Sequence, residues 1–161
     1  MVIIVMGVSG VGKTTIGKAL AGELGWRFLE GDDLHPAVNV AKMAAGVPLT
    51  DEDRAPWLEH LRVLIAGALE QGEDVVLACS ALRRSYRERL AVHPSHVRWV
   101  YLTAPAEVIA DRLRARKGHF MPVSLLESQL TTLEAPDDAL VVDVTLVPTA
   151  VVAFIRSGLG L

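Results

Sequence analysis

The stretch Gly7-Val8-Ser9-Gly10-Val11-Gly12-Lys13-Thr14 fits G-x-x-x-x-G-K-[ST] at every fixed position. Each residue type in it serves polyphosphate chemistry. Glycines let the backbone curl and turn successive N–H groups inward. The lysine reaches the outer phosphates as a point charge, and the threonine hydroxyl is a ligand for Mg²⁺. Thr15 follows at the head of a helix, whose positive dipole end favours an anion. The expectation is a nucleoside triphosphate site made of Gly7, Val8, Ser9, Gly10, Val11, Gly12, Lys13, Thr14 and Thr15, with Thr14 facing the metal.

A phosphoryl group also needs a destination. Asp32 follows an apolar strand, at the sheet end where ligands of open α/β folds gather. With that strand expected beside the loop-bearing one, its carboxylate can orient an acceptor hydroxyl. The competing reading is that Asp32 or Asp33 caps a helix starting near His35. Glu30 is a weaker candidate for the surroundings of Mg²⁺. His35, followed by Pro36, reads from its neighbours alone as a turn histidine. Arg54 can bind an acidic group bidentately, although its spacing from Asp51 and Glu59 also suits surface ion pairs. Ser80-Ala81-Leu82-Arg83-Arg84 ends another strand; one of the two arginines should face the cleft, and periodicity does not say which. Arg112 and Arg116, four apart on one helix face, lead to Lys117, Gly118, His119 and then Pro122. That suits a cationic lid closing over phosphates, or equally an exposed basic helix end.

Positioning these residues requires alternating strands and helices. Apolar runs at 2–6, 26–30, 75–79, 97–102 and 140–144 read as strands. Helical spacing covers 15–24, 38–45, a longer stretch from about 51 to Gly72, 80–90, 105–116, 123–133 and 148–156. Trp57, Leu61, Leu64, Ile65 and Ala68 form the apolar face of the longer helix, and Thr50 or Asp51 is its expected N-cap. Such alternation predicts an α/β fold with a five-stranded parallel sheet and helices on both faces.

With 161 residues the chain suits one domain, and a net charge of −3 without a basic stripe argues against nucleic acid. No run is long enough to span a membrane. Cys79, the one cysteine, lies in an apolar run and reads as a small buried hydrophobe, consistent with a reducing cytoplasm. There is no Asn-Lys-x-Asp stretch to read guanine.

Several blocks together resemble the gluconokinases. They are Gly7 to Thr14, Leu29 to Pro36, Asn39 with Lys42-Met43, Pro48 to Leu58, Cys79 to Arg87, Arg116 to Pro122, and Gln129 with Thr132 to Pro136. The His-Pro, Asp-Arg-Ala-Pro-Trp-Leu and Gly-His-Phe blocks are far more specific than the phosphate loop. The resemblance implies a three-layer P-loop NTPase fold like that of nucleoside monophosphate and shikimate kinases. It also implies one domain over 1–161, with a substrate-binding segment about 32–72 and a lid about 112–128. The implied reaction is transfer of the ATP γ-phosphate to the 6-hydroxyl of D-gluconate, with Mg²⁺, by a homodimer. Lys13, Asp32 and Arg116 then become catalytic, and Arg112 and Arg116 lid arginines on the nucleotide. Asp32, His35, Arg54, Ser80, Arg83 and His119 become acceptor-binding residues. Two departures stand out: Glu30 where the family is expected to carry Asp, and Leu130-Thr131 where Phe-Glu is expected. The rival readings are a kinase for shikimate or a nucleoside monophosphate, and a non-catalytic nucleotide-binding module.

Overall fold

The computed structural model describes residues 1–117 and 122–161. Five parallel strands make one sheet: β1 (Val2–Met6), β2 (Arg27–Glu30), β3 (Val75–Ala78), β4 (Val97–Thr103) and β5 (Leu140–Asp143), in the order β2-β3-β1-β4-β5. The helices between them are α1 (Lys13–Leu24), α2 (Ala37–Ala44), α3 (Asp51–Glu70), α4 (Arg84–Leu90), α5 (Ala106–Ala115), α6 (Leu126–Thr132) and α7 (Pro148–Leu159).

All of β1 is buried, as a continuous apolar run demands when helices cover both faces. Its side chains alternate between two cores. Val2, Ile4 and Met6 join Trp57, Leu58, Leu61 and Ile65 of α3 and Tyr86 and Leu90 of α4. Ile3 and Val5 join Ile16 and Leu20 of α1, Ile109 of α5 and Val151, Val152 and Ile155 of α7. The two clusters are the two sides of a three-layer α/β arrangement.

Three expectations change. The strand carrying Asp32 is not beside the loop-bearing strand, because β3 lies between them and pairs with both. The helix expected from Ser80 starts at Arg84. Residues 80–83 are an irregular turn in which Ala81 has φ 42°, a left-handed conformation that no helix can include. The helix expected over 123–133 opens as a 3-10 turn, Val123–Leu125, before α6.

Helix α3 begins as its sequence suggests. The Thr50 hydroxyl accepts from the Asp53 amide at 3.1 Å and the Asp53 carboxylate accepts from the Thr50 amide at 2.9 Å, a reciprocal cap. Asp51, Glu52 and Asp53 add negative charge at the positive end of the dipole. This cap sets where Asp51, Arg54 and Trp57 stand relative to the carboxyl edge of the sheet.

Candidate active site

The phosphate loop connects β1 to α1 at the carboxyl edge. At Gly7 (φ 142°) a Cβ would fall 2.8 Å from the Leu102 carbonyl oxygen, and at Gly10 (φ 84°) 2.6 Å from Leu113 Cγ. Only glycine satisfies both the backbone conformation and the close approach. Lys13 is buried, and its Nζ donates to the carbonyl of Val8 at 3.0 Å. Burial pulls this amine below the usual lysine range, while the negative charges of Asp32 and Glu30 oppose that shift. Thr14 Oγ1 donates to Glu30 Oε2 at 2.6 Å, and the Ser9 amide donates to Gln129 Oε1 at 2.6 Å. Burial raises the Glu30 pKa, opposed by its bond from Thr14.

The donor set next to Lys13 suits a hard cation. A hydroxyl (Thr14) and a carboxylate (Glu30) lie in contact, leaving the remaining ligands of a magnesium ion to phosphate and water, as that ion prefers. Among the described residues no three His, Cys, Asp or Glu side chains form a cage of their own. The longer arm of Glu30 therefore reaches Thr14 without difficulty.

Beyond β2 the chain makes one 3-10 turn, Gly31–Leu34, which carries Asp32. Two features hold this turn. A Cβ at Gly31 would lie 2.5 Å from the Ala78 carbonyl oxygen, so the backbone runs directly against β3. The indole N–H of Trp57 donates to the Gly31 carbonyl at 2.8 Å. The helix-cap role considered for Asp32 and Asp33 is not seen: the N-cap of α2 is Pro36, without a side-chain cap. Close approach to β3 thus gives Asp32 a place facing Lys13 even though its strand is at the sheet edge.

A pocket opens between the phosphate loop and α3. Ser9, Lys13, Asp32, His35, Arg54, Trp57, Ser80, Tyr86 and Gln129 line it, with Met43, Leu49, Leu82 and Leu125 as apolar wall. His35 stacks on Trp57 with ring centroids 4.3 Å apart and planes 12° apart. Its pKa falls to about 4, chiefly because it is buried, with Asp32 opposing and Arg54 reinforcing the shift. His35 thus feels both the negative charge of Asp32 and the positive charge of Arg54. Arg54 donates to the Leu49 carbonyl at 2.8 Å and to the Tyr86 hydroxyl at 3.3 Å, so it belongs to the pocket wall, not to an exposed helix surface. Its contact with Asp51 is 4.0 Å.

The two arginines left open after β3 separate cleanly. Arg83 turns toward α3 and donates to Asp51 at 3.1 Å, beside the pocket without lining it. Arg84 pairs with Glu88 at 3.0 Å on the exposed side of α4. Ser80 lines the pocket itself.

On the other side of the phosphate loop a second cleft is lined by Gly10, Val11, Gly12, Thr15, Ile16, Arg112, Arg116, Val144, Leu146 and Pro148. Arg112 is tied down there, donating to the Val11 carbonyl at 3.1 Å and to the Val144 carbonyl at 2.6 Å. Arg116 is exposed and borders both this cleft and the open face beside Thr14, Glu30 and Asp32. Lys117 lines that open face too. His119 lies outside the described residues.

Sequence reasoning missed three contributors. Trp57 counted only as part of an apolar helix face, yet its N–H anchors the turn carrying Asp32. Tyr86 and Arg87 were hidden in an arginine-rich helix. Arg87 is buried and donates to the carbonyls of Ala81 at 3.1 Å and Leu82 at 3.2 Å, holding the irregular turn. Burial lowers its pKa. The signal available was position: Tyr86 and Arg87 follow Arg83 at three and four residues, one helical turn on. Cys79 is fully buried, and burial pushes its thiol up to about 12, so it is an inert core residue.

A glycine-bound phosphate loop on a five-stranded parallel sheet, with a lysine and a carboxylate facing an acceptor pocket, defines a P-loop kinase. Residues 2–136 match the family model described as an AAA domain. A gluconokinase of Gluconobacter oxydans (strain 621H) is 53% identical over 136 residues, covering 84% of this chain and 76% of that one. The thermosensitive gluconokinase of Escherichia coli (strain K12) is 47% identical over 133 residues, covering 83% and 71%. Among solved structures, a gluconokinase from Sinorhizobium meliloti 1021 has 46% identity and a TM-score of 0.85 over 98% of this chain and 90% of its own. An unliganded sugar kinase from Janibacter sp. HTCC2649 has 45% identity and a TM-score of 0.92 over 99% and 94%. The chain belongs to the gluconokinase family. A shikimate kinase of Bacteroides thetaiotaomicron, 20% identical with a TM-score of 0.68 over 100% of this chain and 99% of that one, shares the fold.

Proposed function

We propose that the protein transfers the γ-phosphoryl group of ATP to the 6-hydroxyl of D-gluconate, giving 6-phospho-D-gluconate and ADP. The observation that carries this reading is the polarity of the acceptor pocket. Lys13 and Asp32 bring charge from the phosphate loop and the turn after β2, Arg54 brings a cation from α3, and His35 feels both the Asp32 and the Arg54 charge. A six-carbon sugar acid has the same polarity, with a carboxylate at C1 and a primary hydroxyl at C6. Its carboxylate meets Arg54 and its far hydroxyl meets Asp32.

Asp32 accepts the hydroxyl's hydrogen bond and aims its oxygen at the phosphorus, which matters more than early proton removal when the transition state is loose. The inward amides of residues 8–14 and Lys13 hold the phosphates, and their donors are fixed before reaction. Thr14, with Glu30 behind it, would hold a Mg²⁺ arriving with the nucleotide, and that ion would supply charge neutralisation at the outer phosphates. Arg116, exposed between the two clefts, supplies positive charge to the transferring group, and Arg112 braces the loop backbone on the nucleotide side. Val144, Leu146 and Pro148 offer the base an apolar wall. Ser80 contacts the acceptor, Arg83 acts from beside the pocket, and the family resemblance supports His119 as a further acceptor-binding residue.

The homodimer and the cytoplasmic location belong to the same proposal. The family resemblance supports the first. The second is supported by the single buried cysteine, and among the described residues no helix is long and apolar enough to cross a membrane. Sedimentation equilibrium reads the oligomeric state directly.

The deciding experiment is ADP release from MgATP with D-gluconate, beside shikimate, AMP and a no-acceptor control. Release with gluconate alone is expected. Release with another acceptor would overturn the substrate, and ATP binding without any transfer would overturn the kinase reading.

A further inference from the structure

One network around the acceptor pocket joins Arg54 and Arg83 through two residues given no role above, Tyr86 and Asp51. The Tyr86 hydroxyl accepts from Arg54 at 3.3 Å and donates to Asp51 Oδ1, while Asp51 Oδ2 accepts from Arg83 at 3.1 Å. The Arg54 guanidinium also lies over the Tyr86 ring, 5.7 Å from its centroid. Tyr86 comes from α4 and is 4% exposed, whereas Asp51 and Arg54 sit in the first turns of α3. A single phenol therefore ties an arginine of one helix to the helix opposite. Both of the polar anchors on Arg54, Leu49 and Tyr86, use NH1, which orients the planar fork about one nitrogen. Arginine earns its place in carboxylate recognition only when that fork is aligned.

We propose that Tyr86, held by Asp51, is a positioning residue that aligns the Arg54 guanidinium with the carboxylate of an acidic acceptor. It thereby sets the preference for sugar acids over neutral sugars and polyols. This rests on the gluconate reading of the pocket. Burial, reinforced by Asp51, raises the phenol's pKa, so it stays protonated and keeps donating to Asp51 at neutral pH.

A double-mutant cycle with Tyr86→Phe and Arg54→Ala tests it. Phenylalanine keeps the ring and removes the hydroxyl alone. Tyr86→Phe should raise the KM for gluconate about tenfold, as for one lost hydrogen bond to a charged group. Its kcat and its KM for ATP should stay within about twofold of wild type. In the Arg54→Ala background the same substitution should change kcat/KM for gluconate by less than about twofold, because the group it positions is gone. Gluconate affinity measured by calorimetry reads the same cycle without turnover. Asp51→Asn leaves the ring packing intact and should give the same KM increase, which covers a Tyr86→Phe protein that folds poorly. Additive losses in the cycle, or a fall in kcat at unchanged KM, would overturn the assignment while leaving the gluconate reading standing. A wild-type enzyme that ignores gluconate would remove both.

Discussion

The charge of Lys13 is set by the field of the pocket: burial disfavours it, and the neighbouring carboxylates of Asp32 and Glu30 favour it. Replacing Asp32 by Asn keeps the shape and removes the charge proposed to orient the acceptor. We expect kcat to fall about 10²- to 10³-fold, within the range typical of a positioned acid–base group, with ATP affinity by calorimetry nearly unchanged. Near wild-type turnover would take Asp32 out of that role. His35 makes a different prediction. Its folded pKa of about 4 lies below the ordinary histidine value of 6.5. As pH falls through 6.5 the unfolded chain takes up a proton that the folded chain refuses. Stability should therefore drop between about pH 6.5 and 4, with no further loss from this group below that window. Urea midpoints across that range should show the drop, and His35→Phe, which keeps the ring against Trp57, should flatten it. An equally steep curve in the variant would assign the acid sensitivity elsewhere. None of this was visible in the residues around His35, because its stacking partner is Trp57, on another element.

At the scale of elements, the strands and the cap of α3 were readable and the turns were not. The Thr50–Asp53 cap follows from local spacing, since both partners lie within one turn. Thr50→Ala should cost about 1 kcal/mol in chemical denaturation, and it should weaken gluconate binding because Asp51 and Arg54 ride on that turn. The start of α4 is the opposite case. Ser80 to Arg83 has helix-compatible residue types, and what stops the helix is the left-handed Ala81, with Arg87 bonded to the carbonyls of Ala81 and Leu82. The turn is tied a second time: the Glu134 amide donates to the Leu82 carbonyl at 2.8 Å, and its carboxylate accepts from the Arg84 amide at 2.6 Å. Arg87→Met would fill the same space without the donors. The Leu82 carbonyl keeps its Glu134 partner, but leaving the Ala81 carbonyl without its donor should cost about 1–3 kcal/mol, read as a lower urea midpoint. An unchanged midpoint would mean the turn stands without Arg87.

Across the whole molecule, the segments on either side of the acceptor pocket meet. Met43 and Leu49, within the proposed substrate-binding segment (about 32–72), pack with Leu125, within the proposed lid (about 112–128), in a small cluster separate from the two main cores. A contact of this size suits a cover that must open again. Leu125→Ser should loosen it and let water reach the phosphoryl group, raising acceptor-independent ATP hydrolysis several-fold relative to transfer. An unchanged ratio of hydrolysis to transfer would show that Leu125 does not guard the site.

The phosphate loop, the five strands and the α/β class needed only the chain itself, because each is specified by neighbours in sequence. Glycine spacing shapes a loop, an apolar run makes a buried strand, and a hydroxyl three residues before a carboxylate makes a cap. The insertion of β3 between the other two strands, the choice of Arg83 over Arg84 beside the pocket, and the Arg54–Tyr86–Asp51 network needed the packed molecule. Those features depend on which distant side chains share a buried space. Burial there makes each hydrogen bond and charge obligatory, and partners as far apart in the chain as Gly31 and Trp57, or Ser9 and Gln129, are brought into contact only when the sheet and its helices close around them.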